Sequence, residues 1–446
     1  MLSINFVERV AWTCMGIRRF INRMNPRLPM VAPETEITES PTPLVPRRYI
    51  WGLFLGFSLF HIAQAIFWQF GSYYLFVGIG ETQFLLIGLV GGLPVLIGLT
   101  GVYLWGSISD KLHRRLPFII FGFLGQAISF LLYIFIQDSI TFLIVTCAAY
   151  FFSLAAVPLA NAYLTEAQTQ KGGAVGLLLA TSSLGWAVGA FSGGFLFTLI
   201  GMEGLFLLGA IAYFIAIFTI LILVRELPAP AQGSIIDEET MSEPLNPDRK
   251  WMTPRIILLL IATAVAIGSV GVNALSFFFG IFLIEELAGT AIMLGLANGF
   301  ASLTGFAVTL VAGRATDRLG RKPMLLMGFG SYAIFMTVYL FVVDPWVAMI
   351  LWIVPFYPLI FTASYAAAAD LSKVARRGRA MSTIATANSL GSGIGPIIGG
   401  ALVQFVFISI RGNMVFAVLM NIIALTLVLL FVPETLRRLR NRTDSQ

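Results

Sequence analysis

Charge is what this chain of 446 residues has least of. Asp, Glu, Lys and Arg together make up 11% of it, against about a quarter in an ordinary soluble domain. With 58% hydrophobic residues, that shortage excludes the two or three soluble domains that the length would otherwise suggest. Cysteine is nearly missing: Cys14 and Cys147 are the whole supply, which excludes a disulfide framework and a cysteine metal site. Histidine is as scarce, with only His61 and His113. No phosphate loop, no Gly-x-Ser-x-Gly elbow and no His-Glu-x-x-His pattern occurs. The sequence therefore predicts no enzyme, no catalytic residue, no metal and no cofactor. The excess of cations, a net +6, would suit nucleic acid, but its placement points to membrane topology instead.

What the chain does have is long charge-free runs. Twelve stretches lack Asp, Glu, Lys and Arg altogether, and the shortest is 21 residues. A helix needs about 20 apolar residues to cross a bilayer. In lipid such a segment must be helical, because a strand edge would leave backbone groups unpaired. Six runs precede the polar, proline-rich stretch 226–253 and six follow it. The predicted fold class is an all-α membrane protein: 12 transmembrane helices in two pseudo-symmetric six-helix bundles. Residues 1–47 are read as a tail, 48–225 as the first bundle, 226–253 as a linker, 254–436 as the second bundle and 437–446 as a basic tail. For Met1 to Met24 two readings stand, an amphipathic helix on the membrane surface or a plain tail. Phe6, Val10, Ile17 and Ile21 alternate there with Arg9, Arg18, Arg19 and Arg23.

The halves repeat each other. Gly106-Ser-Ile-Ser-Asp110-Lys111-Leu-His113-Arg114-Arg115 lies 207 positions before Gly313-Arg-Ala-Thr-Asp317-Arg318-Leu-Gly-Arg321-Lys322. Gly185, Gly189, Gly193 and Gly194 lie 206 before Gly391, Gly395, Gly399 and Gly400. Val224-Arg225-Glu226-Leu227 echoes Pro433-Glu434-Thr435-Leu436. Matches at nearly the same offset indicate an internal duplication. Of the 28 Lys and Arg residues, 27 fall in the tails and the even-numbered loops, and only Arg411 falls on the other side. That bias predicts a multi-pass protein of the cell (inner) membrane with both termini cytoplasmic.

The basic loops resemble the motif Gly-x-x-Ser/Thr-Asp-Lys/Arg-x-Gly-Arg-Arg/Lys of the major facilitator superfamily, and the resemblance covers about residues 48 to 440. The second copy fits; the first has His113 where the family has Gly. Asp370 to Gly378, including Arg377, looks like the acid-x6-Arg-Gly signature that follows the tenth span in that family. Gly391 to Gly400 resembles the glycine-proline motif of drug antiporters, although that motif belongs in the fifth span, where Ala190 stands in place of Pro. The resemblance implies two bundles around a central cavity that opens to each side in turn. It implies a gating set of Gly106, Asp110, Lys111, Arg114, Arg115, Gly313, Asp317, Arg318, Arg321, Lys322, Asp370 and Arg377. Physically, a carboxylate at Asp110 can cap a helix N-terminus in the opposite half, near Ala380, and Asp317 one near Ala174. The cations can pair with Glu166, Asp370 or lipid phosphates.

No charged residue lies inside any run, so His61 is the one ionisable side chain with a reference pKa near neutrality at membrane depth. Ser58, His61, Gln64, Trp68 and Ser72 share a helical face, and a histidine there needs a cavity or a polar partner. The predicted substrate cavity comprises Ser58, His61, Gln64, Trp68, Tyr150, Asn161, Asn273, Asn298, Tyr357, Tyr365 and Asn388. Without fixed charge it suits a neutral or amphipathic small organic solute. Efflux by alternating access is the predicted function. A facilitator or proton-coupled importer of a neutral metabolite such as a sugar is the first alternative, and a non-transporting receptor or scaffold on the same fold is the second. The expected partners are the solute, membrane lipids and protons, with no nucleic acid, and a monomer is expected.

Overall fold

A computed structural model describes residues 46–167, 171–226, 253–373 and 376–435. All but the last two residues of the predicted tail 1–47, the whole of 437–446 and most of the linker lie outside the described residues. Those described are helical, with no strand among them. The first half holds α1 (Arg47–Tyr73), α2 (Phe84–Leu112), α3 (Leu116–Tyr133), α4 (Ser139–Ser153), α5 (Ala156–Ala167) and α6 (Lys171–Leu223). The second holds α7 (Pro254–Ser276), α8 (Ala291–Leu319), α9 (Arg321–Leu340), α10 (Pro345–Trp352), α11 (Tyr357–Asp370), α12 (Arg377–Leu402) and α13 (Arg411–Phe431).

These thirteen helices make twelve crossings because three of the relations are not one to one. The helix α6 is two spans joined at Gly201, whose φ of 67° and ψ of −173° turn the chain back. A bend after Ser153 joins α4 to α5 as one span, and one after Trp352 joins α10 to α11. The second bend lies next to Pro355, and the Thr304 hydroxyl of α8 donates to the freed Ile353 carbonyl at 2.7 Å. In lipid that carbonyl would otherwise go unpaired.

The duplication extends to helix ends. Asp138 and Asp344, 206 apart, cap α4 and α10. Asp138 accepts from the Thr141 amide at 2.8 Å, Asp344 from the Trp346 amide at 2.8 Å. The cap on Thr141 holds the exposed Asp138 carboxyl below its ordinary range, so its stabilisation is present at neutral pH and fades as pH falls through that lowered value. Spans one and seven both end in a π-helical turn, at Tyr74–Gly78 and Phe282–Glu286. The residue two beyond each turn is left-handed: Gly80 at φ 79° and Ala288 at φ 55°.

Glycines decide how closely the helices approach. A Cβ at Gly185 would strike the Ser58 carbonyl of α1, and one at Gly189 the Ile62 carbonyl. In the second half Gly391, Gly395 and Gly399 press likewise on the Ala266, Val270 and Ala274 carbonyls of α7. Neighbouring faces of the same helices touch the other half. Gly88 and Gly92 of α2 meet the Pro396 and Gly393 carbonyls of α12, and Gly194 of α6 meets Gly295 of α8. These contacts between halves lie toward the end where α2 and α8 begin. There the Leu85 amide of the first half also donates to Gln404 Oε1 of the second at 2.8 Å. At the opposite end, which carries the basic loops, a Cβ at Gly106, Gly313 or Gly378 would meet open space. The halves are thus shut against each other at the end away from the basic loops.

Two glycine substitutions should therefore move stability in opposite directions. Gly399→Ala forces a methyl into the Ala274 backbone and should cost about 1–3 kcal/mol. Gly106→Ala, helical and unobstructed, should gain about 0.5–1 kcal/mol from lost unfolded-state freedom. Thermal unfolding of the purified variants in one detergent checks both signs.

Candidate transport site

Two groups of side chains are brought together by this frame: an ionic cluster at the basic end of each half, and a set of cavities.

In the second half Arg321 is the hub of the ionic cluster. Its Nε donates to Asp370 Oδ2 at 2.8 Å, and its Nη1 to Asp317 Oδ1 at 3.0 Å and to the Thr316 carbonyl at 2.7 Å. Arg321 and Asp370 are largely buried, whereas Asp317 stays 72% exposed. Glu434, just beyond α13, accepts from the backbone amides of Arg321 and Lys322 at 3.0 and 3.1 Å. It caps α9, favourably placed against the positive end of the helix dipole. The first half repeats the design. Arg115 pairs with Asp110, also bonds the Ser109 hydroxyl at 3.1 Å, and Glu226 accepts from the Arg115 and Leu116 amides at 2.8 and 3.0 Å to cap α3.

This corrects one expectation. Asp110 does not cap the helix near Ala380: α12 has no side-chain cap, and Asp110 faces the arginine of its own half. The nearest cation, five residues on in the same half, takes the carboxylate. The side chains of Glu166 and of the residues near Ala174 lie outside those described. The capping role belongs to Glu226 and Glu434, whose sequence echo is visible as a repeat but carries no sign of where the carboxylates point.

Three cavities lie among the spans. One, about 290 Å³, is lined by Trp68 and Trp186 of the first half and by Asn273, Asn298, Trp352 and Tyr357 of the second, among others. A second, of about 230 Å³, lies between Ser182, Ser183 and Trp186 on one side and Ser302 and Tyr357 on the other. A third, of about 80 Å³, sits inside the second half beside Ser269, Asn273 and Asn388. No lining residue of any of the three carries a charge. Several polar groups are held in place. The Trp352 indole N–H donates to Asn298 Oδ1 at 3.1 Å, and its ring stacks on Phe279 at 3.8 Å. The Ser269 hydroxyl donates to Asn388 Oδ1 at 2.7 Å.

The sequence profile of the Major Facilitator Superfamily matches residues 53–357 and 259–445. The chain belongs to the Major Facilitator Superfamily. A maltose permease of Geobacillus stearothermophilus is 26% identical over 244 residues, 54% of this chain and 58% of that protein. The multidrug resistance protein MdtG of Proteus mirabilis (strain HI4320) is 27% identical over 266 residues, 58% of this chain and 63% of that protein. The chain thus spans less than two thirds of the length of these relatives. Among solved structures, a D-xylose-proton symporter superposes with a TM-score of 0.69 at 16% identity, covering 87% of this chain and 98% of that one. The nucleoside transporter NupG gives 0.67 at 14% identity, covering 85% and 97%. At such identities these two share the fold.

Within that superfamily fold the predicted cavity residues divide. Trp68, Asn273, Asn298, Tyr357 and Asn388 line the three cavities; Ser58, His61, Gln64, Tyr150, Asn161 and Tyr365 do not. His61 faces neither lipid nor these cavities. It is 6% exposed, set edge-on against Phe60 at 5.2 Å, and α6 covers it at Gly185. Gln64 lies near both the His61 imidazole and the Tyr150 hydroxyl, and the buried His61 Nδ1 has no hydrogen-bond partner among the described residues. The Ser58 hydroxyl donates to its own helix, at the Phe54 carbonyl. Trp186, Trp352, Tyr332, Ser182 and Ser183 line cavities unforeseen. Trp186 adjoins a glycine ladder and reads as packing, and Trp352 reaches the cavity only because the span breaks after it.

Arg321→Gln would leave Asp370 buried without its cation and should destabilise by about 3–5 kcal/mol. Adding Asp370→Asn to it should recover most of that loss. Thermal unfolding of the single and double variants measures both.

Proposed function

We propose that this protein carries a small uncharged organic solute across the cell membrane by alternating access. The observation that supports this most directly is the cavity: indole faces from one half, amides and hydroxyls from the other, and no charge at all. A solute with a net charge would enter it uncompensated, at a cost that membrane interiors do not forgive. The glycine contacts close one end and leave the basic end unclasped, which suits one of the two states that alternating access requires. With the cation bias placing the basic end in the cytoplasm, that state faces inward. The motif residues Gly106, Asp110, Arg115, Gly313, Asp317 and Arg321 then act first within their own halves, holding each bundle rigid while the two rock. The inner membrane, cytoplasmic termini and a monomer complete the reading.

No carboxylate stands at membrane depth to relay protons, and His61 is walled off by Phe60 and α6. The solute's own gradient therefore drives transport and sets its direction. A second reading, export of lipophilic drugs, has its own support: relatives named for multidrug resistance, and three tryptophans able to hold an organic cation over their faces.

Purified protein in lipid vesicles decides between them. Maltose, D-xylose and uridine should each be compared with ethidium, with and without an imposed pH gradient. At least one uncharged solute should equilibrate without accumulating, and His61→Gln should leave its pH profile unchanged. Gradient-driven accumulation of ethidium alone would favour the second reading. For the transported solute, Asn298→Ala should lower kcat/KM by about tenfold, since it removes a cavity amide and strands the Trp352 N–H.

A further inference from the structure

Tyr357 is the one residue that lines all three cavities. It opens α11, directly after the break in the tenth span, and a glycine determines where its ring lies. A Cβ at Gly305 of α8 would collide with the Tyr357 hydroxyl and come within 3.0 Å of its ring. Behind the ring is the smallest chamber, of about 80 Å³. At several times the roughly 10–15 Å³ that one water needs on this measure, the chamber has room for a hydroxyl-bearing unit of a solute.

Its chemistry is equally specific. The Ser269 hydroxyl donates to Asn388 Oδ1, which leaves the Asn388 NH₂ to donate and the Ser269 oxygen to accept. Asn273 gives its NH₂ to the Ser269 carbonyl at 2.8 Å and keeps its own oxygen as an acceptor. The chamber thus offers donors and acceptors together and no charge. A carboxylate would find no cation there and an ammonium no anion. An alkyl group would leave the amides unpaired. An alcohol, donor and acceptor at once, satisfies both.

We propose that the chamber behind Tyr357 is a subsite for a hydroxylated substituent of the carried solute, and that Tyr357, seated in the Gly305 notch, controls access to it. The proposal rests on the reading of the protein as a carrier of uncharged solutes. It narrows that reading to two-part polyhydroxylated compounds: one unit lies between the tryptophans and the second reaches past Tyr357 to Asn388.

Cysteine labelling tests this with two sugars as probes. In a Cys14→Ser/Cys147→Ser background, Phe361→Cys, at an apolar position lining the chamber, should react with neutral 2-hydroxyethyl methanethiosulfonate at least about tenfold faster than Ile384→Cys, which is fully buried. Val265→Cys, a second apolar lining position, serves as reporter should Phe361→Cys not fold. Maltose, with two sugar units, should protect the thiol, and glucose, with one, should not. Adding Gly305→Ala should weaken maltose protection by about tenfold through displacement of the Tyr357 ring. Labelling no faster than at Ile384→Cys overturns the subsite and leaves the carrier reading intact. Rapid labelling that neither sugar slows overturns the two-part solute. Unchanged protection in Gly305→Ala overturns the role of Tyr357. Failure of all uncharged solutes in the vesicle flux assay would instead count against the carrier reading itself.

Discussion

Helices inside a bilayer gain little from hiding apolar surface, because the lipid tails are as apolar as their neighbours. What holds this molecule together is how closely its backbones can approach, and glycine sets that distance. The ladder Gly185, Gly189 seats α6 on α1, and the ladder Gly391, Gly395, Gly399 seats α12 on α7. The adjoining face of each helix touches the opposite half, at Gly194 and at Gly393 and Gly400. So the same two helices form part of the core of their own bundle and part of the seal between bundles. Besides the Leu85–Gln404 hydrogen bond, that seal combines close backbone approach with ring contacts such as Phe84–Phe278 and Trp68–Phe277. Contacts of that kind are individually weak and carry no ionic lock. Two arrangements of the halves can then lie within a few kcal/mol of each other, as a population shift by a small solute demands.

The charges are spent elsewhere. Glu226 and Glu434 each reach back from the last span of their half to cap the third, tying chain ends that would otherwise splay. Arg321 adds Asp370 from the tenth-span region, so its guanidinium ties α8 and α11 to α9. In the first half Arg115 bonds a serine hydroxyl and an exposed carboxylate. The second half also supplies most of the amides and hydroxyls that line the described cavities. Amides need close alignment, whereas stacking on indole faces tolerates sliding.

The architecture is readable from sequence because the bilayer leaves few options: a charge-free run of 21 residues must be a helix, and a repeat at one offset must be a duplicated bundle. The site is readable only in part. Helical spacing places His61, Gln64 and Trp68 on one face of α1, and it is one face. Along its first stretch α6 lies over that face, with Gly185 against His61; seven residues on, Trp68 instead packs against Phe277 of the other half. Periodicity fixes a face but not what covers it. Asp110 misleads for a related reason. Its carboxylate has two possible partners, an arginine five residues on and a helix in the other half, and only the arrangement of the halves decides between them. Trp352 needs the break before Tyr357, which a single Pro355 does not announce.

The cavity's polar groups are already partnered before any solute arrives: Trp352 with Asn298, Ser269 with Asn388, Asn273 with its own helix. Each of these amides and hydroxyls keeps a second valence toward the cavity. A solute therefore meets groups whose orientation is fixed in advance, and little of its binding energy goes to ordering them. That preorganisation belongs almost wholly to the second half. The first half contributes Trp68, Trp186 and the serines beside it, surfaces that can close on a solute but cannot by themselves hold one in register. On the alternating-access reading proposed above, the second half would orient the solute and the first half would close on it. A solute shifts such an equilibrium by contacts that differ between its two states, and those with Trp68, Trp186 and the serines beside them are the ones a moving first half would gain or lose.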